Sequence, residues 1–358
     1  MNIDILIIGG GLAGLRLADL CHAAGQDFLL VEARDRWGGR ILTYLEEGAA
    51  FDLGPAWYWP GQPRMAAQVS RFGLQPFDQF SEGQIVFEHP DGRVQSGQGY
   101  ASMQGSFRVG GGFGALIDAL ADTLPKQSLR LSAPVMSLRR DKNRIVAATD
   151  NGAEISANRV VLALPPRIAA ILAMTPALPM EAVKALSAIP TWMAGQAKAL
   201  AIYDRPFWRD AGFSGDAMSH RGPMVEIHDA SPDIGGPYGL FGFIGLPATH
   251  RRKVADIEGL VKDQFARIFG PDAAHPREVV IQDWASDPLT ATQADQDPVH
   301  AHLAYGLPKA LAHVWDGRLQ FAGTEFAPQF GGYLEGALEA AENVFAHLQQ
   351  QRGRAHAS

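Results

Sequence analysis

The sequence predicts an α/β fold, a Rossmann-like domain with a second domain intertwined with it, and three observations carry that prediction. Near the start, an apolar strand, Asp4 to Ile8, runs into Gly9-Gly-Gly-Leu-Ala-Gly14, then into a helix and a second strand, Phe28 to Val31, that ends at Glu32. Near the other end, Arg318 to Glu325 reads as a strand entering a turn, and Gly331-Gly-Tyr-Leu-Glu-Gly336 opens a helix through Leu348. The third is size: 358 residues at 47% hydrophobic composition can bury more than one core.

The first element is a cradle for the adenosine diphosphate half of a dinucleotide. Gly9 permits the tight turn, Gly11 lets backbone N–H groups approach a pyrophosphate, and Gly14 lets the helix pack on the strand. Leu12 and Ala13 lie between them at the start of that helix, which runs to Ala24 and stops at Gly25. Glu32 falls where an acid accepts hydrogen bonds from a ribose diol. A Gly-rich βα turn alone is weak evidence; strand, turn, helix, strand and acid in this order make it specific.

Directly after the acid come Glu32-Ala-Arg-Asp-Arg-Trp-Gly-Gly-Arg40 and then Phe51-Asp-Leu-Gly-Pro-Ala-Trp57. This pair of segments resembles the flavin-dependent amine oxidase superfamily, which includes monoamine, polyamine and L-amino-acid oxidases. The resemblance implies FAD as the cofactor and a two-domain flavoprotein fold of the GR2 type. It also implies that Ala33 and Arg34 bind the cofactor, that Gly39 and Arg40 follow the FAD phosphates and that Gly54, Pro55, Ala56 and Trp57 pass close to the isoalloxazine. Glycines admit the backbone there, and Arg40 offers a fork of donors to pyrophosphate oxygens.

Composition excludes other classes. A net charge of −7 leaves no basic footprint for nucleic acid, and no Lys/Arg run suits an anionic membrane. No stretch reaches about eighteen uninterrupted apolar residues, and the start lacks a basic leader, so the expectation is no membrane partner and a cytoplasmic location. The single cysteine, Cys21, falls in the first helix and reads as a small buried apolar residue.

In the middle, Val109-Gly-Gly-Gly-Phe-Gly114 opens a helix, Ala115 to Leu124, ended by Pro125. Leu129 to Val135 reads as a strand, Ile145 to Thr149 and Glu154 to Ser156 as a hairpin around Asp150-Asn-Gly152, and Arg159 to Pro166 as another buried strand. The resemblance places Val135 against the adenine; as a plain sheet residue it needs no such contact. Near the C-terminus the resemblance assigns Gly323 and Glu325 to the ribityl or phosphate region, and the backbone of Gly332, Tyr333 and Leu334 to the flavin pyrimidine ring. Glu325 also reads as a helix-entrance acid pairing with an arginine.

These expectations divide the chain into a discontinuous FAD-binding domain (1–75, 108–168 and 286–350), a substrate domain (76–107 and 169–285) and a frayed polar tail (351–358, polar from Gln349). The substrate domain is expected to be mostly antiparallel, with one amphipathic helix, Val254 to Phe269, closed by Gly270-Pro271. Only about thirty residues separate Pro76 from Gly110, too few for a helical module of the kind larger relatives carry. A more open active site is expected from that shortness.

Two residues carry the expected chemistry. Lys198 lies in Ala197-Lys-Ala-Leu-Ala-Ile-Tyr203, where period two puts it on one face with Leu200 and Ile202. A lysine on a buried face needs a partner or a job, unless its ammonium snorkels out at a strand edge. The resemblance gives it one: holding a water against flavin N5 and assisting the reaction with oxygen. Tyr333 matches one of two aromatic rings that face the flavin and orient an amine. The partner ring is expected soon after Trp284, yet Trp284-Ala-Ser-Asp-Pro-Leu-Thr-Ala-Thr-Gln293 contains neither an aromatic beyond the tryptophan nor a cysteine. FAD is therefore expected to be non-covalent, with Trp57, Trp59, Trp192, Phe241 and Phe243 as candidates for the second wall or as plain core.

Trp57 stands where related L-amino-acid oxidases carry a carboxylate-binding arginine, which favours a neutral or amine-only substrate unless Arg64 or a central arginine substitutes. His300, His302 and His313 lack carboxylate or cysteine partners at ligand spacing, so no metal is expected. The expected reaction takes a hydride equivalent from an amine carbon to flavin N5, gives an imine that hydrolyses, and passes the electrons to O2 as hydrogen peroxide. Two alternatives stay open, an FAD-dependent desaturase or isomerase on a hydrophobic substrate and a non-enzymatic FAD-stabilised scaffold.

Overall fold

The computed structural model describes residues 2–296 and 301–357, with side chains through Arg352. Along the chain run β1 (Asn2–Ile8), α1 (Leu12–Ala23), β2 (Phe28–Val31), α2 (Pro63–Arg71), β3 (Gln84–Glu88), β4 (Val94–Gly97) and α3 (Gly112–Asp122). There follow β5 (Leu129–Arg130), β6 (Val135–Asp141), β7 (Arg144–Thr149), β8 (Glu154–Leu162), β9 (Ala173–Thr175) and β10 (Ala197–Tyr203). Then come β11 (Phe213–Ser219), β12 (Met224–Asp229), β13 (Tyr238–Ile244), α4 (Ile257–Phe269), β14 (Glu278–Asp283), β15 (Leu319–Phe321) and α5 (Leu334–Ala357).

The first sheet has the order β9-β6-β7-β8-β1-β2-β5, with β15 also on β8. Its centre is parallel: β1 lies between β2 and β8, and β8 holds β15 through Val160, Val161 and Leu162. Both faces of β1 are covered, so alternate residues sort into two cores. Ile5 and Ile7 pack with α1, α3 and α5, while Leu6 and Ile8 pack toward β6, β7 and the β15 side. Apolar residues on both sides of a strand are what a sheet with helices on its faces requires.

The second sheet, β14-β10-β13-β12-β11-β3-β4, is antiparallel apart from the parallel pair β11 and β3. Strand β10 is buried along all seven residues. Ala197, Ala199, Ala201 and Tyr203 enter one core with α4, whereas Leu200 and Ile202 enter another with Phe51, Trp57 and Phe241. Between residues 76 and 107 there are only short strands, among them the hairpin β3–β4 on the edge of this sheet.

Several boundaries differ from the sequence expectation. The strand expected over Leu129–Val135 breaks at Ser132, whose φ of +51° turns the chain from the edge of β2 into β6. The hairpin strand at Glu154 and the buried strand at Arg159 are one strand, β8, antiparallel to β7 over Glu154–Ala157 and parallel to β15 over Val160–Leu162. Helix α3 starts at Gly112 rather than Ala115, its Phe113 N–H donating to the Asp52 carboxylate. Helix α4 starts at Ile257, later than Val254, because Asp256 caps it by accepting from Gly259 N–H at 2.7 Å. The expected frayed tail is instead helical: α5 continues through Ala357, since the segment beyond Gln349 holds good helix formers and no proline.

Candidate active site

A cavity of about 540 Å³ is lined from both sheets. All the residues predicted for the site reach it except Gly14 and Glu325, which lie just behind its wall. The glycine turn joins β1 to α1, and its three glycines differ in geometry. Gly9 has φ +109°. A Cβ on Gly14 would sit 1.9 Å from the Gly9 carbonyl oxygen, so the helix can approach the strand only without a side chain there. A Cβ on Gly11 would meet nothing nearer than the Gly38 carbonyl oxygen at 3.7 Å, and it faces the cavity.

The N-terminus of α1 opens on the cavity through Gly11, Leu12 and Ala13, and the N-terminus of α5 does so through Tyr333, Leu334 and Ala337. Each presents N–H groups that have no intrahelical acceptor. Glu32 is buried at the end of β2, its two carboxylate oxygens accepting from Gly10 N–H at 2.6 Å and Arg34 N–H at 2.9 Å. Arg34 in turn holds Asp287 at 2.6 Å. Ala33 and Val135 line this same end, with Pro134 and Met136 beside them.

Arg40 donates both prongs of its guanidinium to Glu325, at 2.6 and 3.1 Å. Glu325 is fully buried and also accepts from Trp192 N–H at 3.3 Å. Burial opposes the charge on Arg40, but the carboxylate outweighs it and holds the guanidinium more firmly protonated than usual. Gly39 and Gly323 flank this pair on the cavity wall.

Lys198 points where its strand periodicity places it, onto the face it shares with Leu200 and Ile202. Its Nζ donates to the Gly54 carbonyl at 2.7 Å and the Asp52 carbonyl at 3.0 Å, and lies 4.2 Å from the centre of the Phe241 ring. Burial lowers its pKa to about 7, the Asp52 carboxylate opposing and Arg108 adding to the fall. The lysine does not snorkel; it is fixed inside, beside Gly54, Pro55, Ala56 and Trp57. Trp284 closes the same wall, its indole N–H donating to the Leu53 carbonyl at 3.1 Å.

Tyr333 also reaches the cavity, held through its backbone by Thr324. Of the five candidate second walls, Trp57, Trp59, Trp192 and Phe243 line the cavity and Phe241 packs behind them. Trp59 meets the Tyr333 ring edge-on at 6.1 Å, and His302 stacks on that ring at 4.9 Å. His302 also pairs its Nε2 with the Gly331 carbonyl at 2.8 Å; no metal-ligating group of three side chains occurs among the described residues, and His300 lies outside them.

The carboxylate-binding role left open for Arg64 is not supported. Arg64 pairs with Glu335 and Glu342 away from the cavity, and Arg108 donates to the Ala230 and Ser231 carbonyls. The cavity-lining arginines, Arg34 and Arg40, are both committed to carboxylates. Cys21 is buried in α1, off the cavity, its thiol pushed up to about 12 by burial.

Sequence reasoning missed one cluster. Glu226 lines the cavity, and its Oε1 accepts from Ser102 at 2.9 Å and pairs with His228 Nε2 at 3.0 Å; the other ring nitrogen of His228 meets Asp216 at 3.1 Å. Burial works against a charged imidazole, but the two carboxylates outweigh it and raise the pKa of His228. The signal was available: Glu226 and His228 are two apart in a strand, hence on one face.

Comparison with known proteins places these features in context. The family model for flavin containing amine oxidoreductases matches residues 12–102 and 96–345. A probable flavin-containing monoamine oxidase A of Dictyostelium discoideum is 24% identical over 97% of this chain and 98% of its own length. Among solved structures, a putrescine oxidase variant superposes with a TM-score of 0.84 at 19% identity, covering 98% of this chain and 99% of that one. Cyclohexylamine oxidase from Brevibacterium oxydans superposes at 0.83 and 19% identity, covering 99% and 100%.

Proposed function

The chain belongs to the flavin-containing amine oxidoreductase family, an FAD-dependent oxidoreductase of the amine oxidase kind, and we propose that it oxidises small amines at the expense of oxygen. The residues present fit the cofactor. Two helix N-termini face one cavity, Gly11 leaves room where a side chain would intrude, and Glu32 closes the end suited to a ribose. The one cysteine is buried away from the cavity, so the FAD is held without a covalent bond from a thiol. When bound, FAD accepts the hydride equivalent from the carbon next to a neutral amine and passes the electron pair to O2 as hydrogen peroxide.

The chain's own residues bind, orient and hold protons. The first N–H groups of α1 suit the diphosphate; the segment Gly54–Trp57 and the backbone of Gly332–Leu334 border the redox end. In this reading the first sheet with its helices is the FAD-binding domain, and the second sheet bears the substrate. Tyr333, Trp57 and Phe243 present apolar walls that exclude water and favour an uncharged reacting nitrogen. With no uncommitted arginine on the wall among the described residues, an α-carboxylate has no partner, which supports amines over amino acids.

The single observation that carries the reading is Lys198. A buried lysine fixed by two backbone carbonyls, on the wall of a cavity flanked by two helix N-termini, is costly in a mere scaffold and useful beside an oxygen-reducing centre. The deciding experiment is an anaerobic panel of amines, read as bleaching of the flavin absorbance and then as hydrogen peroxide when air is readmitted. Bleaching by amines with peroxide in equal amount is expected. Bleaching by none of them would move the assignment to a desaturase or isomerase.

A further inference from the structure

The floor of the cavity is a row of cross-strand neighbours. Lys198 on β10 pairs with Phe243 on β13, and Phe243 pairs with Glu226 on β12. Directly paired residues point to the same side of a sheet, so lysine, ring and carboxylate share one face, with the ends of the row about 10 Å apart at two strand spacings. Two residues on, His228 and Phe241 form the next row, again on this face. Trp57 covers both rows, 5.0 Å from the His228 ring and 6.5 Å from that of Phe243.

The carboxylate at the end of that row is built to stay ionised. Ser102 and His228 both contact Oε1, and the hydrogen bond from His228 is the leading cause that pulls the pKa of Glu226 below the usual range. Asp216 faces the other ring nitrogen of His228, so two carboxylates flank a single imidazole and outnumber the one positive charge it can carry. A carboxylate this well stabilised is a poor base. Its other oxygen, Oε2, accepts no hydrogen bond among the described residues; Phe243 is its cross-strand neighbour, and Trp57 and Met103 line the same cavity, offering an indole and a thioether. An excess of carboxylate over imidazole, a free lone pair and aromatic faces at a cavity wall fit a cation.

We propose that Glu226 receives a second cationic group of the substrate, so that the preferred substrates are amines carrying a remote ammonium, of the diamine class. The proposal rests on the amine oxidase reading for the reacting nitrogen, which sits toward Lys198 and Tyr333, while the remote nitrogen stays protonated and donates to Oε2. Glu226 is then a specificity-determining residue, and His228 with Asp216 are positioning residues that act through it.

The test compares α,ω-diamines with monoamines of the same chain length, in the wild-type holoenzyme and in Glu226→Gln, which keeps the shape and removes the charge. Two quantities are read with oxygen excluded: the half-saturating amine concentration for flavin bleaching, and the amine dissociation constant by calorimetry. The wild type is expected to favour the diamine, and Glu226→Gln to weaken the diamine about tenfold to a hundredfold while the monoamine shifts by no more than about twofold. Equal weakening of both, or a wild type that binds the two alike, overturns the proposal. Diamine binding that depends on Glu226 without any bleaching would keep the cation site and refute the amine oxidase reading. Bleaching by monoamines with no diamine preference would do the reverse.

Discussion

Arg40 and Glu325, 285 positions apart in sequence, form a buried two-pronged ion pair that ties the turn after β2 to the turn before α5. Removing one partner strands the other without compensation, which in buried pairs costs about 3–5 kcal/mol. Glu325→Ala should therefore lower the melting temperature by several degrees and reduce the flavin retained on purification, while Glu325→Gln keeps part of both. Thermal melts followed by the flavin-to-protein absorbance ratio check this; a variant that melts and binds as the wild type does would mean that the pair is idle.

Gly11 and Gly14 are expected to fail differently. Gly14→Ala drives a methyl into the Gly9 carbonyl, backbone against backbone, so the fold itself should suffer, by about 1–3 kcal/mol or more. Gly11→Ala points into the cavity with ordinary contacts, so its apoprotein should melt near the wild-type temperature and bind FAD at least about tenfold more weakly. Melts of both apoproteins beside FAD titrations separate the two; identical behaviour would refute the division of labour.

Lys198 titrates near neutrality, with burial as the main cause of its lowered pKa. On the proposed reading Lys198 is a cation beside an oxygen-reducing centre and favours the developing negative charge, so air reoxidation should be faster below about pH 7 and slow as pH rises through that value. Lys198→Met should be slow at every pH and lose this dependence. Stopped-flow reoxidation across neutral pH measures it, and an unchanged profile in the variant would remove Lys198 from the oxygen step.

His228 makes the opposite kind of contribution, to stability. Its folded pKa is raised, so its stabilisation is complete below the unfolded value of about 6.5 and fades as pH climbs through the folded value. The wild type should thus lose melting temperature on the alkaline side more steeply than His228→Gln. Parallel pH–melting curves for the two proteins would show that the imidazole is not charged inside the fold.

FAD held without a thioether should leave the protein on acid precipitation. Yellow supernatant over a colourless pellet is the expected outcome; flavin remaining in the pellet would point to an attachment other than through Cys21.

What could be read from the sequence was what is local. The glycine turn and Glu32 announce themselves because strand, turn and helix follow one another within a few residues, and Lys198 stands out because a charge interrupts an unbroken apolar strand. The cluster of Asp216, His228 and Glu226 was harder to see. Its assembly depends on the register of β11, β12 and β13, and a bulge between Met224 and Glu226 shifts that register by a residue no pattern of alternation reveals. The exchange of partners along β8 is similar: the same strand changes neighbours halfway, so one element reads as two.

Leu162 of β8 lies between Ile8 of β1 and Phe321 of β15. A chain growing on the ribosome therefore presents its nucleotide-binding turn at the outset and waits for some three hundred further residues before the opposite wall exists. At ordinary translation rates that interval is on the order of tens of seconds. Until then the cavity lacks the wall supplied by Gly323 to Ala337, so complete enclosure of a cofactor belongs to the finished polypeptide, and β8 lacks its β15 neighbour.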